Sequence, residues 1–229
     1  MPELYNEPVF GIALSLAAFW IGGEIQKRTR LIICNPLLIA IALVIAVLLV
    51  FRIPYDYYYA GGAVIDVFLV PATVCIALSI HTKIDILKKN WLPILAGCIA
   101  GSLASMLCVY GLCRLFNLDE EILRSMLPKS VTTPIALGIS EGNSGIASIT
   151  VLSVLFSGIT GNVLAPALIK CLRIKDPIAA GLSIGACSHA IGTSKALEIG
   201  ETEGAMSGLA IGVCGIITVI LSLFIYKMI

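Results

Sequence analysis

The sequence predicts an all-α polytopic membrane protein, with about seven crossings plus a re-entrant hairpin, built as two inverted repeats that each carry a broken helix. Three observations lead there. First, apolar content is spread along the whole chain. The 229 residues are 59% hydrophobic and 13% charged, with a mean hydropathy of +1.02, against ~45–50% apolar and ~25% charged in a typical soluble domain. A lone anchor does not raise the average over the full length, and there is room for about seven or eight spans of ~20 residues. Second, Lys and Arg gather in short loops between apolar runs. Third, two apolar segments are interrupted where a regular span would run on.

No stretch is long or polar enough for a separate soluble domain, so residues 1–229 are expected to form one transmembrane domain. A net charge of +1 argues against a nucleic-acid partner. Eight cysteines are scattered without a CxxC pair, mostly inside apolar runs where a thiol behaves as a small hydrophobe. Neither a metal nor another cofactor is expected.

Span one is expected over about Pro8 to Glu24, before the basic cluster Lys27, Arg28 and Arg30. Span two covers about Pro36 to Phe51. The stretch DYYYAGG (Asp56 to Gly62) reads as an interfacial tyrosine belt. The third segment, Ala63 to Ile80, is interrupted by Asp66 and Pro71, since a proline inside a helix removes a hydrogen bond and kinks it. A second basic loop holds Lys83, Lys88 and Lys89. Span four covers about Trp91 to Phe116.

Next comes DEEILRSMLPKSVTTPIALGISEGNSG. The acidic residues Asp119, Glu120 and Glu121 suit a helix N-terminus. Pro128 and Pro134 then bracket Lys129, Ser130, Thr132 and Thr133, too broken for one span. Span six covers about Gly145 to Leu168, before Lys170, Arg173 and Lys175. The seventh segment, IGACSHAIGTSKALEI (Ile184 to Ile199), carries His189, Lys195 and Glu198 with Gly185, Ser188, Gly192, Thr193 and Ser194. Charged side chains near a bilayer centre cost roughly 2.5–3.5 kcal/mol on insertion scales and face a cavity or partner. Freed backbone groups are tolerated only where they line protein or water. A broken helix around a polar site is expected here, followed by a last span from about Ala205 to Tyr226.

Lys/Arg-rich short loops lie on the cytoplasmic side. The first two clusters alternate simply. The third joins them only if Asp119 to Glu141 enters and leaves on one face, giving seven crossings of the cell inner membrane, N-terminus outside and C-terminus cytoplasmic. Eight crossings, with Lys170, Arg173 and Lys175 outside, is the alternative. With seven, Phe68 to Ile80 can be laid on His189 to Glu201, each with a breaker (Pro71 or Gly192) near the same place. The halves, 1–117 and 118–229, then run in opposite directions. Corresponding interrupted segments in two halves mark a transporter's midplane site, so the breaks near Pro71 and Gly192 are expected to face each other.

Three polar constellations carry the chemistry. Pro71 and Thr73, with Asp66, are either a kink in a packed helix or part of a site. Lys129, Ser130, Thr132 and Thr133 are either an exposed loop or a lining segment. Ser188, His189, Gly192, Thr193, Ser194 and Lys195 are either a core histidine plus a Lys195–Glu198 ion pair one turn apart, or a binding centre. The functional reading is a carboxylate site. A helix break presents free N–H groups and a positive dipole end, hydroxyls add donors, and Lys129 or Lys195 adds charge. Asn143, Ser144 and Asn162 are candidates for further lining. His189, which by type titrates near neutral pH, is a candidate for coupling proton movement to the substrate. Catalysis lacks support: there is no G-x-S-x-G, H-E-x-x-H or phosphate-binding loop.

SMLPKSVTTPIALGIS (Ser125 to Ser140) with GIASIT, VPAT (Val70 to Thr73) and SHAIGTSKALEIGE (Ser188 to Glu201) resemble the LrgB family of bacterial membrane proteins over nearly the whole chain. Val70 stands where that family commonly has Glu, and Cys187-Ser188 where Ser-Gly or Ser-Ser is common. The resemblance implies one of two roles. One is transport of small monocarboxylates of the glycolate, glycerate or pyruvate type. The other is an antiholin-like role in murein hydrolase activity and cell lysis, with a small LrgA-type membrane partner. Polar residues inside broken spans favour transport. A homodimer or an LrgA-type subunit is expected to supply the fixed frame that a moving bundle needs.

Overall fold

A computed structural model describes residues 7–29, 36–68, 71, 74–75 and 81–227. Every regular element among them is helical. Four helices are long and apolar enough to cross a membrane by length and composition: Pro8–Thr29, Trp91–Leu115, Ala147–Cys171 and Glu201–Ile225. Large apolar side chains such as Trp20, Leu49, Phe156 and Leu223 point outward, as a bilayer solvent requires. The chain is a multi-pass membrane protein, all-helical among the described residues. It divides into two compact units, Met1–Cys75 and Ile76–Ile229. That boundary falls well before Asn117, where the repeat reading divides the chain; compactness and internal symmetry are separate criteria.

The first unit holds α1 (Pro8–Thr29), α2 (Pro36–Val50) and α3 (Tyr55–Asp66). Its centre is Ala18, Ala40 and Val44. Glycines set the close approaches. A Cβ on Gly11 would meet the Tyr58 carbonyl and lie 2.9 Å from Gly61 Cα, and one on Gly22 would lie 2.6 Å from the Pro36 carbonyl. Ser15 Oγ donates to the Gly11 carbonyl at 2.8 Å and lies 3.0 Å from Tyr58 Oη. The expected tyrosine belt is therefore the start of a helix: Asp56 to Gly62 lies inside α3, and Tyr58 packs on α1. That helix ends at Asp66, before Pro71. The residues around Pro71 lie largely outside the described ones, and with them the expected break there.

The second unit holds α4 (Ile84–Lys89), α5 (Trp91–Leu115), α6 (Glu120–Met126), α7 (Thr133–Glu141), α8 (Ala147–Cys171), α9 (Pro177–Ile199) and α10 (Glu201–Ile225). At 1.5 Å per residue, α6 and α7 are only about 10 and 14 Å long, against a hydrocarbon core of ~30 Å. The stretch Glu120 to Glu141 thus forms two short helices, and the residues from Pro128 to Thr132 make the turn between them. Asp176 caps α9, accepting from Ile178 N at 3.0 Å, with Pro177 in the first turn where its missing N–H costs nothing. The α9–α10 pair is close because Gly181 faces Glu203 Cα, 2.9 Å from a built Cβ, and Gly185 faces Ser207.

Four connections share one ending. Arg52, Asn117, Ser144 and Arg173 have positive φ of 50 to 62°. After Arg52, Asn117 and Arg173 the chain closes back on the helix: Ile53 N to the Leu48 carbonyl at 2.9 Å, Leu118 N to Cys113 at 2.9 Å and Ile174 N to Ile169 at 3.0 Å. After Ser144, Gly145 N reaches the Ser140 carbonyl at 2.8 Å. A left-handed residue followed by a six-to-one hydrogen bond satisfies the last carbonyls of a helix.

Candidate functional site

The fifth positive-φ residue lies in mid-helix. His189, at φ 42° and ψ −139°, interrupts α9. Such a conformation is sterically disfavoured for a residue with a Cβ and persists only where its surroundings over-determine it. The surroundings come mainly from α8. His189 Nε2 lies 3.0 Å from the Val154 carbonyl, and the buried ring occupies space left by Gly158, where a Cβ would come within 2.8 Å of Cε1. Ser188 occupies the space left by Gly161, where a Cβ would collide with its Oγ and lie 2.5 Å from its Cβ.

The interruption sits at His189 and not at Gly192, the expected breaker. A Cβ on Gly192 would collide with that of Ser188 and approach Ile184 Cγ2 at 3.0 Å. That glycine makes room for the refolded turn instead of bending the chain.

Three carbonyls around the break find side-chain donors. Cys187 O accepts from Ser157 Oγ at 3.1 Å, and His189 O from Thr193 Oγ1 at 2.9 Å. Ile191 O accepts from Asn162 Nδ2 at 2.7 Å and from Ser194 Oγ at 2.7 Å. Thr193 Oγ1 also lies 2.7 Å from Ser207 Oγ on α10. Buried polar groups need such partners, because one left unmade costs about 1–3 kcal/mol.

Beside the break is an open cavity of about 450 Å³, whose lining includes Lys129, Ser153, Phe156, Ser157, Thr160, Leu164, Cys187 and Ser188. Ser157 lies near the middle of the 25-residue α8. Lys129 is half-buried, and its Nζ donates to Ser130 Oγ at 3.3 Å; Ser130 Oγ in turn lies 2.7 Å from Ser105 Oγ on α5. Among the described residues Lys129 has no carboxylate partner. Thr160 and Ser188 make no side-chain hydrogen bond to another described residue. A lysine and hydroxyls facing one cavity can together bind an anion. Among the described residues no cluster of His, Cys, Asp and Glu is placed to hold a metal.

The predicted residues are therefore sorted by the structure. Lys129 and Ser188 meet in the cavity, with Ser130 behind Lys129. His189, Gly192 and Thr193 are buried and build the break, and Ser194 is back-bonded beside it. Lys195 is turned to Glu198, Nζ to Oε2 at 2.6 Å, which is the ion pair one turn apart. Thr132 is the N-cap of α7 and Thr133 its first residue; neither lines the cavity. Asn143 lies beyond the other end of that nine-residue helix, its Nδ2 on the Ile139 carbonyl at 2.7 Å. Pro71 belongs to the first unit, and Thr73 lies outside the described residues. Ser153, Ser157, Thr160 and Gly161 are additions that the motifs do not point to. Their spacing on α8 is one-face helical spacing, a polar stripe readable in the sequence.

Comparison with known proteins agrees with the resemblance in the motifs. Residues 15–228 match the LrgB-like family model. The chain is similar to an antiholin-like protein LrgB of Bacillus subtilis (strain 168), 40% identical over 95% of each chain. A protein of the same name from Bacillus mycoides (strain KBAB4) is 39% identical over 93% of each. No solved structure matches. With a family match over nearly its full length and relatives of equal extent, the chain belongs to the LrgB family.

Proposed function

We propose that the chain carries small monocarboxylates across the cell inner membrane, binding the carboxylate at Lys129 beside the broken helix. The observation that carries this reading is a half-buried lysine with no carboxylate partner among the described residues, facing a cavity near mid-helix. A charge at that depth needs a function or a counter-ion. Glycolate, glycerate and pyruvate supply the counter-ion from solution. Ser188 and Thr160 add donors, and Ser130 holds the ammonium. Thr132 and Thr133 bring the positive end of α7 to the same turn as Lys129. In this reading His189, Gly192, Thr193 and Ser194 shape the site from behind.

The accompanying architecture is seven crossings with 119–141 re-entrant, the N-terminus outside and the C-terminus cytoplasmic. The repeats 1–117 and 118–229 are inverted. A homodimer or an LrgA-type subunit completes the frame. The test is uptake of labelled glycolate, glycerate and pyruvate into proteoliposomes, with and without a proton gradient, by the wild type and Lys129→Met. Wild-type uptake lost in the variant is expected; equal uptake by both removes Lys129 from the path.

A second reading is favoured by the names of the relatives, which fit it more directly: an antiholin-like regulator of murein hydrolase export and lysis acting with an LrgA-type partner. The two separate in a lysis assay. If Lys129→Met restores normal lysis timing to a deletion strain, lysis control does not use the carboxylate site.

A further inference from the structure

We infer that 177–199 is a second re-entrant hairpin, entering from the face opposite 119–141, and that the cavity at Lys129 is the gap where the two tips meet. The carboxylate-transport reading supplies only the occupant of that gap. The interruption at His189 reverses the chain. In an unbroken helix Ile184 would lie about 12 Å from Gly192 and about 18 Å from Ala196 along the axis. Instead a Cβ on Gly192 would come within 3.0 Å of Ile184 Cγ2, and Ile184 and Ala196 share one buried cluster with Ala165. Contacts along α8 follow the same reversal. Val154 and Ser157 meet His189 and Cys187 at the turn, Asn162 meets Ile191, and Ala165 packs with a residue of each arm. Both arms therefore run from the turn toward the C-terminal end of α8. Gly181 faces Glu203, and Leu197 lies against Gly204, so both arms also end near the start of α10. Each arm is about 15–18 Å long, half of a ~30 Å hydrocarbon core.

The first hairpin opens on the other face. α5 and α10 run parallel: Ile94 and Cys98 pack with Ala205 and Cys214, and Val109 and Cys113 with Leu221 and Ile225. Lys83, just before α4, pairs with Glu201 at the start of α10, 3.2 Å apart. At its end, Tyr226 Oη donates to the Arg124 carbonyl of the first hairpin at 2.6 Å. The basic clusters before α5 and after α8 thus share the face of the second hairpin, which the positive-inside rule makes cytoplasmic. The seven-crossing arrangement thereby loses one crossing, at 177–199, and the C-terminus comes to the outer face.

The tips approach each other on all three crossing helices. On α5, a Cβ at Gly101 would lie 3.3 Å from Ala186 Cβ of the second hairpin, and Ser105 Oγ is 2.7 Å from Ser130 Oγ of the first. On α8, Val154 packs with Val131 and its carbonyl meets His189. On α10, Ala210 faces Gly185 and Gly215 faces Ile135. The cavity is lined by Met126 and Lys129 from one hairpin and Cys187 and Ser188 from the other. The ammonium and the Ser188 hydroxyl therefore reach the site from opposite faces, and an anion that engages both ties the two tips together.

Three single changes at exposed positions in the otherwise native chain test the hairpin: Lys175→Cys, Glu201→Cys and Lys227→Cys. Each is treated with an impermeant maleimide in right-side-out and in inverted vesicles, and labelling is mapped by mass spectrometry. Lys175→Cys and Glu201→Cys, on either side of the hairpin, should react only in inverted vesicles, and Lys227→Cys only in right-side-out ones. Lys129→Cys should be joined to native Cys187, which is exposed, by a short bismethanethiosulfonate, read as a linked peptide pair. Reaction at 175 and 201 from opposite faces, or at 227 from the face of 201, overturns the inference and leaves the transport reading standing. The expected faces without a bridge from 129 to 187 overturn the placement of the cavity between the tips. All three faces exchanged overturn the assignment of the second hairpin to the cytoplasmic face. Equal uptake by wild type and Lys129→Met removes the occupant and leaves the hairpins in place.

Discussion

Gly161→Ala should loosen the broken helix, and the structure says by how much. A methyl at Gly161 would overlap Ser188 Oγ and lie 2.5 Å from Ser188 Cβ. The Oγ can rotate away. The Cβ is fixed to a backbone whose next residue is held by the His189 ring on Val154, so either α8 and α9 separate or the break deforms. Overpacking of this kind costs about 1–3 kcal/mol, and the upper end applies where the neighbour is rigid. Alanine recovers about 0.5–1 kcal/mol over glycine in a helix, leaving a net loss of about 2 kcal/mol. At about 2–4 °C per kcal/mol, the thermal midpoint in detergent should fall by about 4–8 °C. Two further variants make the cause specific. Gly97 is also helical, yet a Cβ there meets nothing within 4 Å, so Gly97→Ala should hold or slightly raise the midpoint. Ser188→Gly removes both clashing atoms, leaving Cα at 3.6 Å. The double variant should therefore be more stable than the sum of the single changes by at least about 1 kcal/mol. Gly161→Ala matching Gly97→Ala, or a double variant that is merely additive, would refute the cradle.

The two lysines should separate cleanly. Lys129→Met should weaken carboxylate binding about ten-fold or more, the worth of one charged hydrogen bond, with an unchanged midpoint. Lys195→Met should leave binding within about two-fold and cost under about 1 kcal/mol, because Glu198 is mostly solvated; calorimetry showing the reverse order would transfer the site to Lys195. Asn162→Leu should remove the donor that α8 gives the Ile191 carbonyl and cost about 1–3 kcal/mol, read as a lower thermal midpoint, and no change would mean that Ser194 suffices. Lys88→Cys and Arg173→Cys, in a background without native cysteines, should both react with impermeant reagent from the cytoplasmic face only; labelling from opposite faces would establish eight crossings.

Much of this molecule is legible in its sequence, and the failures share a cause. Continuous hydropathy marks the helices, and polar residues inside segment seven mark a broken one. The residue at the break is easily mistaken because a glycine looks like the flexible point. Gly192 instead clears space, while the strain falls on His189, whose conformation is held by contacts with another helix. Lys195 and Glu198 show a local pairing that spacing alone allows. Asn143 is near Lys129 in sequence, although a helix of nine residues separates it from Thr132. Ser153, Ser157 and Thr160 form a stripe at helical spacing, but hydroxyls in an apolar helix usually bond to their own backbone, so the stripe alone does not mark a site. What places Ser157 and Thr160 at the cavity is the register of α8 against the broken turn, a tertiary fact.

The way the interruption is held also bears on movement. Ser157 and Asn162 of α8 donate to carbonyls of α9, the His189 ring reaches back to α8, and Ser188 sits in the notch at Gly161. Sliding one helix past the other would break all of these together. These contacts tie the two helices to each other. In the proposed transport cycle the sliding surfaces would lie elsewhere, and a carboxylate bound at Lys129 as proposed would find the unwound turn already formed. Binding then spends none of its energy on ordering that turn.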